Sequence, residues 1–240
     1  MDIEILTFGD NYIYLCRTAD GVAFVVDPGQ AAAVLAALKA RGGRLTHVLL
    51  THHHGDHTGG AARLREQTDC HVVGGDRVEV PVIDTVAAGG EEFAIGGVQV
   101  RTIATPGHTC DSVCYFLPAQ PGNPTPMVFT GDTLFVGGCG RVFECDAGTM
   151  WRSLNDLAAL PEETRVYCGH EYTVENYHFA TKFFPRDAEY ACKLAEAQAA
   201  VRAGRPMIPS TIAAEKRANV FLRAGSVESF AHLRGLKDRF

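Results

Sequence analysis

The chain has 240 residues, 46% of them hydrophobic and 21% charged, and its formal net charge is −6. That balance is typical of a globular protein with a sizeable core and excludes a largely disordered chain. The acidic charge does not favour a nucleic acid partner, and no apolar run is long enough for a membrane span or a signal peptide, so we expect a cytoplasmic protein.

Short strands and helices alternate over the first 75 residues. Apolar or alternating runs between turn residues predict strands over residues 3–8, 12–16, 22–26, 47–50 and 70–73. Residues 30–40 are rich in Ala and Leu and end before Gly42 and Gly43, so they predict a helix with a glycine stop. A second helix is predicted over residues 58–67, just after a histidine-rich run.

The middle of the chain continues in strands, and the last third changes to helices. A hairpin turning on Gly96 and Gly97 is predicted over 93–100, followed by strands over 100–104, 113–117, 127–130 and 164–168 and a helix over 149–160. Helical spacing without strand runs covers 176–184, 187–203 and 227–240. We place a domain boundary near His170, which gives a catalytic domain over 1–170 and a helical, substrate-binding domain over 171–240.

Histidine and aspartate side chains follow the ends of four predicted strands. They are His52, His54, Asp56 and His57 after the strand at 47–50, His108 after 100–104, Asp132 after 127–130 and His170 after 164–168. Strand ends meet at one rim of a sheet, so we expect these side chains to converge. A single His at a strand end is usually a hydrogen-bonded surface residue, but chance rarely produces seven potential ligands in this pattern.

The residue types fit two divalent ions. Neutral imidazole and carboxylate bind zinc, iron or manganese, so the sequence leaves the metal open. His52 and His54 are two residues apart and project alike, whereas Asp56 and His57 can face a second ion about 3.5–4 Å away. Asp132 has two oxygens and can bridge both ions. His53, the four remaining histidines and the eight cysteines are given no ligand role.

Hydrolysis is the chemistry that such a pair of ions favours. Two cations lower the pKa of a bridging water from about 16 toward neutrality, and the hydroxide formed can attack a carbonyl while one ion stabilises the oxyanion. We expect Asp56 to orient the nucleophile or accept its proton, and we predict Asp56 and Asp132 as catalytic residues. The chain has no Gly-x-Ser-x-Gly elbow that would supply a serine nucleophile.

Several motifs together resemble a known family. THHHGDHTGG over 51–60, TPGHT over 105–109 and GDTLF over 131–135 resemble the metallo-β-lactamase superfamily and, within it, the glyoxalase II (hydroxyacylglutathione hydrolase) family. GCGR over 138–141, GHEYT over 169–173 and LRGLKDRF over 233–240 resemble the same family, so the likeness covers nearly the whole chain. The resemblance implies an αββα sandwich, with the site at one edge between two sheets, followed by a small C-terminal α-helical domain.

The resemblance also assigns the ligands and a substrate. It implies that His52, His54 and His108 hold one metal, that Asp56, His57 and His170 hold the other, and that Asp132 bridges them. The implied reaction is hydrolysis of the thioester S-D-lactoylglutathione to D-lactate and glutathione, a step of methylglyoxal detoxification. We expect the protein to be a monomer.

Four side chains match the family's substrate-binding positions, namely Arg141, Tyr172, Arg234 and Lys237. Glutathione carries two carboxylates, for which fixed cations are the expected receptors. Taken alone, cations on a terminal helix are equally typical of groups that complement the helix dipole. Where several family members have a tyrosine two residues after the loop cation, this chain has Phe143, whose backbone amide is left to contact the substrate.

Two kinds of rival remain at this point. One is another enzyme of the same fold, such as a persulfide dioxygenase or a lactonase, although a full second metal site argues for hydrolysis. The other is a protein without enzymatic activity that stores metal or binds redox partners through the histidines and thiols. Storage sites tend to be closed, whereas a bridging water requires open coordination.

Overall fold

The computed structural model describes residues 1–121 and 123–240, and two six-stranded sheets dominate this part of the chain. The first sheet contains β1 (Asp2–Phe8), β2 (Asn11–Arg17), β3 (Val22–Val26), β4 (Arg44–Leu49), β5 (His71–Gly74) and β6 (Thr85–Val86), in that spatial order. The strands β1 to β3 pair antiparallel, and β3 to β6 pair parallel. The ends of β3, β4 and β5 therefore point in the same direction.

The second sheet combines strands from the middle and from the C-terminal third of the chain. Its members are β7 (Glu92–Ile95), β8 (Val98–Ala104), β9 (Val113–Leu117), β10 (Met127–Gly131), β13 (Arg165–Cys168) and β14 (Ser210–Thr211), and a small separate hairpin is formed by β11 (Leu134–Phe135) and β12 (Gly138–Cys139). The strands β10 and β13 are parallel and adjacent, so their carboxyl ends lie together. The predicted hairpin at Gly96 and Gly97 is confirmed, with φ values of 53° and 73° that glycine adopts readily.

The described part of the chain also contains eight helices, some packed against the sheets and others in the C-terminal region. They are α1 (Ala31–Arg41), α2 (Gly55–Thr58), α3 (Ala61–Thr68), α4 (Ala147–Ala158), α5 (Thr173–Phe183), α6 (Ala188–Arg202), α7 (Ile212–Ala218) and α8 (Val227–Lys237). The layering confirms the αββα sandwich and the helical C-terminal region that the sequence predicted. Among the described residues, no helix is long and apolar enough to cross a membrane.

The strand β2 separates two apolar layers because its side chains alternate between its faces. Ile13 and Leu15 pack toward α1 and α3, in a cluster that contains Val34 of α1. Tyr14 faces the second sheet, where it lies 5.3 Å from the ring of Phe129 on β10. Burial of each such large side chain contributes about 1.5–3 kcal/mol, so the core fixes how the two sheets face each other.

The helix predicted over 58–67 is confirmed as α3, although it begins three residues later, at Ala61. The separate single turn α2, which contains Asp56 and His57, precedes it. Gly60 lies at the break, where its amide donates to the carbonyl of Pro28 at 2.7 Å. A Cβ at Gly60 would lie 2.5 Å from that carbonyl oxygen, so the break depends on a residue without a side chain.

The C-terminal region also contains a short strand that the sequence analysis did not predict. The strand β14 pairs antiparallel with β13, with Arg165 opposite Thr211 and Val166 opposite Ser210. It is an edge strand of only two residues, which is too short for an alternating sequence pattern to reveal it. The C-terminal region therefore extends the second sheet and is fixed next to the strand that ends at Cys168.

Candidate active site

The predicted metal ligands converge at the edge where both sheets end. His52 follows β4, and Asp132 and His170 follow the neighbouring parallel strands β10 and β13. The amide of Tyr12 on the first sheet donates to the carbonyl of Gly169 at 2.8 Å, which ties the two sheets together beside His170. The convergence follows from strand direction, since parallel strands bring their carboxyl ends to the same edge.

Three imidazoles form the first group of ligands. The Nδ1 atom of His54 lies 3.1 Å from Nε2 of His52 and 3.1 Å from Nε2 of His108. Nitrogens held about 2.0–2.1 Å from one tetrahedral zinc ion are roughly 3.3 Å apart, so the observed spacing suits a shared ion. His52 and His108 are buried, and His54 is partly exposed.

A second group forms around His57. Its Nε2 atom lies 3.3 Å from Nε2 of His170 and 3.8 Å from Oδ2 of Asp56, and the His170 nitrogen lies 3.6 Å from the same oxygen. Asp56 is exposed, whereas both imidazoles are buried. The three donor atoms are therefore close enough to bind one ion, with the carboxylate of Asp56 on the side that faces solvent.

Asp132 lies between the two groups. Its Oδ2 atom is 3.4 Å from Nε2 of His108 and 3.3 Å from Nε2 of His170, and its Oδ1 atom is 3.5 Å from Nε2 of His57. Oδ1 is buried and has no hydrogen-bond partner among the described residues. A buried carboxylate oxygen without a donor is costly unless a cation satisfies it. Together with the two groups, this suggests a binuclear metal site.

The outer ring nitrogens of these histidines contact other protein atoms. Nδ1 of His57 lies 3.0 Å from Oδ2 of Asp27, Nδ1 of His108 lies 2.9 Å from the carbonyl oxygen of Arg141, and Nδ1 of His52 lies 3.0 Å from Oγ1 of Thr51. A proton held on Nδ1 at the first two sites leaves Nε2 free to bind a metal. These contacts therefore orient the rings as metal-binding histidines require.

Asp27 supports the site, a role that the sequence analysis did not predict. Its buried carboxylate accepts hydrogen bonds from the amide and hydroxyl of Thr51, at 2.8 and 2.7 Å, in addition to its contact with His57. The next glycine, Gly29, packs so closely that a Cβ there would lie 2.0 Å from the carbonyl oxygen of Asp56. The turn after β3 thus holds the loop of predicted metal ligands, residues 51–57, in position.

Electrostatics favours cation binding in both groups. Burial lowers the pKa values of His52, His54 and His108, which keeps them in the neutral form that binds metals. Burial also lowers the pKa of His57, but Asp132 and Asp27 outweigh it and raise the pKa to about 9. Carboxylates that favour a proton at this position favour a metal cation for the same reason.

Asp132 remains a carboxylate despite its depth. Burial alone raises its pKa, but His57 and a hydrogen bond with His170 outweigh that effect and hold the pKa well below its usual range. The buried residue is therefore negatively charged at neutral pH, which is the form in which it can bridge two ions.

A cavity of about 390 Å³ opens above the ligands. Its lining includes His54, Asp56, His108, Asp132 and His170 at one end. It also includes all five residues predicted to bind substrate, which are Arg141, Phe143, Tyr172, Arg234 and Lys237. The structure thus brings five of the seven predicted ligands and all the predicted substrate residues into one cavity, and His52 and His57 lie buried outside its lining.

Two cations of α8 are buried against the cavity wall. Arg234 is 6% exposed, and its guanidinium donates to the carbonyl of Cys139 at 2.8 Å and pairs with Asp238 at 3.1 Å. Lys237 is 8% exposed and pairs with the carboxylate of Glu175. Burial lowers the pKa of Lys237, and the pair with Glu175 opposes that effect. These residues are not solvated cations that merely complement a helix terminus.

The other three predicted substrate residues lie nearer the cavity mouth. Arg141 is exposed, and the ring of Tyr172 stacks on that of His170 at 4.7 Å. Phe143 is 61% exposed, and its ring lies 5.2 Å from that of His108. The amide of Phe143, expected to be left for substrate, donates to the carbonyl of His108 at 3.3 Å, so this donor already has a partner.

Sequence reasoning missed several residues that shape this cavity. Glu175 and Asn176, at the start of α5, line it directly, and the side-chain Nδ2 of Asn176 donates to the carbonyl of Val136 at 3.1 Å. The buried Glu215 of α7 accepts from the amide of Gly137 at 2.8 Å and so holds the hairpin loop that leads to Cys139. No local motif surrounds these residues, and only their contacts reveal the role.

His53 lies apart from the ligand groups, as its position between His52 and His54 predicted. Its Nδ1 atom lies 2.9 Å from Oδ1 of Asp111, and its Nε2 atom lies 3.3 Å from Oε1 of Glu144. These contacts connect the histidine-rich loop with the loops that carry His108 and Phe143.

Comparison with known proteins gives a consistent result over the whole chain. Residues 6–170 match the family model of the metallo-beta-lactamase superfamily, and residues 171–240 match that of the hydroxyacylglutathione hydrolase C-terminus. A hydroxyacylglutathione hydrolase of Rhodospirillum rubrum is 43% identical, over 99% of this chain and 97% of that protein. One of Halorhodospira halophila is 46% identical, over 93% of this chain and 86% of that protein.

Solved structures agree on the fold. ETHE1 from Myxococcus xanthus superposes with a TM-score of 0.73 at 32% identity, over 98% of this chain and 90% of that one. TTHA1623 in a di-iron-bound form superposes with a TM-score of 0.62 at 24% identity, over 92% of this chain and 100% of that one. At the latter identity the likeness shows the fold alone.

Proposed function

The chain belongs to the hydroxyacylglutathione hydrolase family of the metallo-β-lactamase superfamily, and we propose that it hydrolyses S-D-lactoylglutathione to D-lactate and glutathione. The observation that carries this proposal is the shared cavity, in which a cation-binding cluster and buried basic side chains face the same space. A thioester of glutathione needs both, because its carbonyl requires activation and its peptide carries carboxylates.

The proposed ligand sets follow the two groups of side chains. His52, His54 and His108 would hold one divalent ion, and Asp56, His57 and His170 would hold a second, with Asp132 between them. When bound, such ions supply an acidified water and a Lewis acid for the thioester carbonyl. Zinc is our first choice for both sites, and the imidazole and carboxylate ligands equally suit iron or manganese.

Asp56 and Asp132 are the proposed catalytic carboxylates. Asp56 is the exposed member of its group and lines the cavity, so it is free to orient the attacking water and accept its proton. Asp132 is buried and negatively charged, and its two oxygens face both groups. The leaving group is a thiolate of glutathione, which needs less help from a general acid than an alkoxide because a thiol has a pKa near 8.5.

Basic side chains would bind the glutathione part of the substrate. Arg234 and Lys237 lie in the cavity wall, and Arg141 lies at its mouth, so they can receive the two carboxylates. Tyr172 is held against His170 and presents its ring to the same space. With its amide already bonded to His108, Phe143 is proposed to contact substrate through its ring.

The decisive experiment is steady-state hydrolysis of S-D-lactoylglutathione, with elemental analysis of the same protein sample. We expect thioester cleavage at a rate that rises with metal content up to two ions per chain. A sample with two bound ions and no thioester cleavage would contradict the proposal. Turnover that follows metal occupancy would also exclude a protein that only stores metal.

A second assay separates hydrolysis from the oxidative chemistry considered for this fold. Oxygen uptake with glutathione persulfide should be absent under conditions in which the thioester is cleaved. The match of residues 171–240 to the hydroxyacylglutathione hydrolase C-terminus supports a glutathione thioester as the substrate. The expected monomeric state and cytoplasmic location stay predictions.

A further inference from the structure

Two cysteine thiols meet between the loops that border the cavity mouth. Cys110 follows the ligand His108 by two residues, and Cys145 follows Phe143 by two residues. Their Sγ atoms lie 3.0 Å apart, and both cysteines are free. A disulfide bond measures about 2.05 Å, so joining them requires a movement of about 1 Å.

Other contacts already hold the two loops in this arrangement. The amide of Cys110 donates to Oε2 of Glu144 at 2.7 Å, and the amide of Phe143 donates to the carbonyl of His108 at 3.3 Å. Nδ1 of His108 also faces the carbonyl oxygen of Arg141 at 2.9 Å. The sulfur contact is therefore part of a docked pair of loops, in which each thiol stays beside the other.

Exposure distinguishes this pair from the other cysteines. Cys110 is exposed and Cys145 is partly exposed, so small oxidants can reach them. Cys16, Cys70, Cys114, Cys139 and Cys168 are buried. Cys192 is exposed on α6, where its thiol contacts Glu196. The chain thus offers one accessible thiol outside the pair as an internal control.

We propose that Cys110 and Cys145 are a redox modification site, at which a reversible disulfide fixes the loop that carries Arg141 and Phe143. Neither cysteine contributes to the metal ligands, and hydrolysis of a thioester does not use them. The oxidant is a low-molecular-weight disulfide of the glutathione type. Where thiols are kept mostly reduced, such a bond is transient and follows the redox balance.

The chemistry balances in two exchange steps. The sulfur of Cys110, as thiolate, attacks one sulfur of glutathione disulfide, and one glutathione leaves and takes up the proton. The sulfur of Cys145 then attacks that of Cys110, and the second glutathione leaves with the second proton. Two protein thiols are oxidised to one disulfide, and one glutathione disulfide is reduced to two thiols. Cys110 is assigned the first attack because it is the more exposed of the two.

The bond would act on substrate binding through the mouth of the cavity. Phe143 lies 5.2 Å from His108 ring to ring, and Arg141 is exposed beside it. A disulfide removes the freedom of this loop to move away from the loop of His108 while a substrate enters. We expect the oxidised protein to have a raised KM, an effect that rests on the proposed function, whereas the bond itself does not.

The test uses the full chain, loaded with metal and incubated with oxidised glutathione. After alkylation of the remaining thiols, peptide mass mapping should detect residues 110 and 145 linked, with the loss of two hydrogen atoms. The melting temperature should rise because the bond restricts the unfolded chain, and dithiothreitol should reverse both changes. The linked peptide should be absent from Cys110→Ser and Cys145→Ser and present in Cys192→Ser.

Several results would overturn the proposal. One is a stable glutathione adduct on Cys110 with Cys145 still free, and another is the absence of any change at a glutathione disulfide concentration that modifies Cys192. An unchanged KM in fully oxidised protein would refute the effect on the loop. If reduced and oxidised protein both fail to cleave the thioester, the proposed function fails, but the mass and melting data still decide the disulfide.

Discussion

The two ends of the cavity hold opposite charges and are built in different ways. At the metal end, the carboxylates of Asp56 and Asp132 lie among imidazoles, and Oδ1 of Asp132 has no hydrogen-bond partner among the described residues. At the other end, Arg234 bonds to Cys139 and Asp238, and Lys237 pairs with Glu175. The metal end therefore keeps a buried carboxylate oxygen without a hydrogen-bond partner among the described residues, whereas the cations of the basic end are largely satisfied by the protein itself.

This difference indicates how each end contributes to function. A buried carboxylate oxygen without a hydrogen-bond partner is costly, so we expect bound ions to contribute to the stability of the metal end as well as to its chemistry. When substrate binds, Arg234 and Lys237 replace contacts with the protein by contacts with the substrate. The free energy of substrate binding therefore gains only the difference between these two sets of contacts. Changes at the metal end should therefore affect the reaction itself, and changes at the basic end should affect substrate affinity.

The largest effect should follow removal of the carboxylate between the two ligand groups. Asp132→Ala should lose activity toward S-D-lactoylglutathione and lower the bound metal, because both groups face the oxygens of this residue. Elemental analysis and turnover on one sample measure both effects. Asp156→Ala, an exposed aspartate on α4, is the matched control. Full activity with intact metal content in Asp132→Ala would remove this residue from the site.

A smaller loss of metal affinity or activity should follow a change at Asp27, which contacts the predicted ligand His57. Asp27→Asn keeps the shape of the side chain but removes the charge that faces His57 and the double acceptor for Thr51. Partners of metal-binding histidines typically contribute roughly 10- to 100-fold in metal affinity or activity. Metal titration monitored by activity measures the loss. The same affinity in the variant and the parent chain would mean that the turn after β3 has only a structural role.

At the basic end, the effect should fall on KM. Lys237→Met should raise KM by roughly 10- to 100-fold, because a hydrogen bond to a charged group contributes about 1.5–3 kcal/mol, and should leave kcat nearly unchanged. Steady-state kinetics separates the two constants. Lys216→Met is the control, since that lysine pairs with Glu162 on the surface. A fall in kcat with constant KM would place Lys237 in the chemical step instead.

The smallest effect should come from the carboxylate that competes with the substrate. Glu175 is mostly exposed and pairs with Lys237, so Glu175→Gln frees the ammonium for a carboxylate of glutathione. Because Glu175 is open to solvent, its pair with the buried Lys237 is screened on one side and should contribute at most about 1 kcal/mol, so KM should fall by roughly two- to fivefold. Kinetics at low and high salt measure the change. If KM rises, Glu175 contacts the substrate directly, for example at an ammonium group.

The comparison also explains which parts of the site could be predicted. Four of the predicted metal ligands lie within the six residues from His52 to His57, so a local pattern reveals them. The other three follow strands whose apolar runs are visible in the sequence, and parallel strand ends meet for geometric reasons. The basic end has no such signal, and only the resemblance to a family assigned Arg234 and Lys237 to the substrate.

Individual elements of the fold also differ in whether a local sequence pattern predicts them. The hairpin at Gly96 and Gly97 was predictable because a two-residue turn with positive φ selects glycine locally. The break between α2 and α3 was not, because Gly60 is required by the approach of Pro28, a residue far from it in sequence. Likewise, β14 is defined only by its pairing with β13.

The sequence by itself predicted the class of fold, a set of candidate ligand residues and the type of reaction. The individual strands and helices and the cluster of possible ligands follow from periodicity, turn residues and side-chain chemistry, whereas the αββα arrangement, the two ligand sets and the substrate follow from the resemblance to a family. Tertiary structure alone decided that Asp27 supports His57, that Lys237 is buried beside Glu175, and that Cys110 meets Cys145. Each of these contacts joins distant parts of the chain, and no local pattern encodes which buried surfaces meet when the core packs.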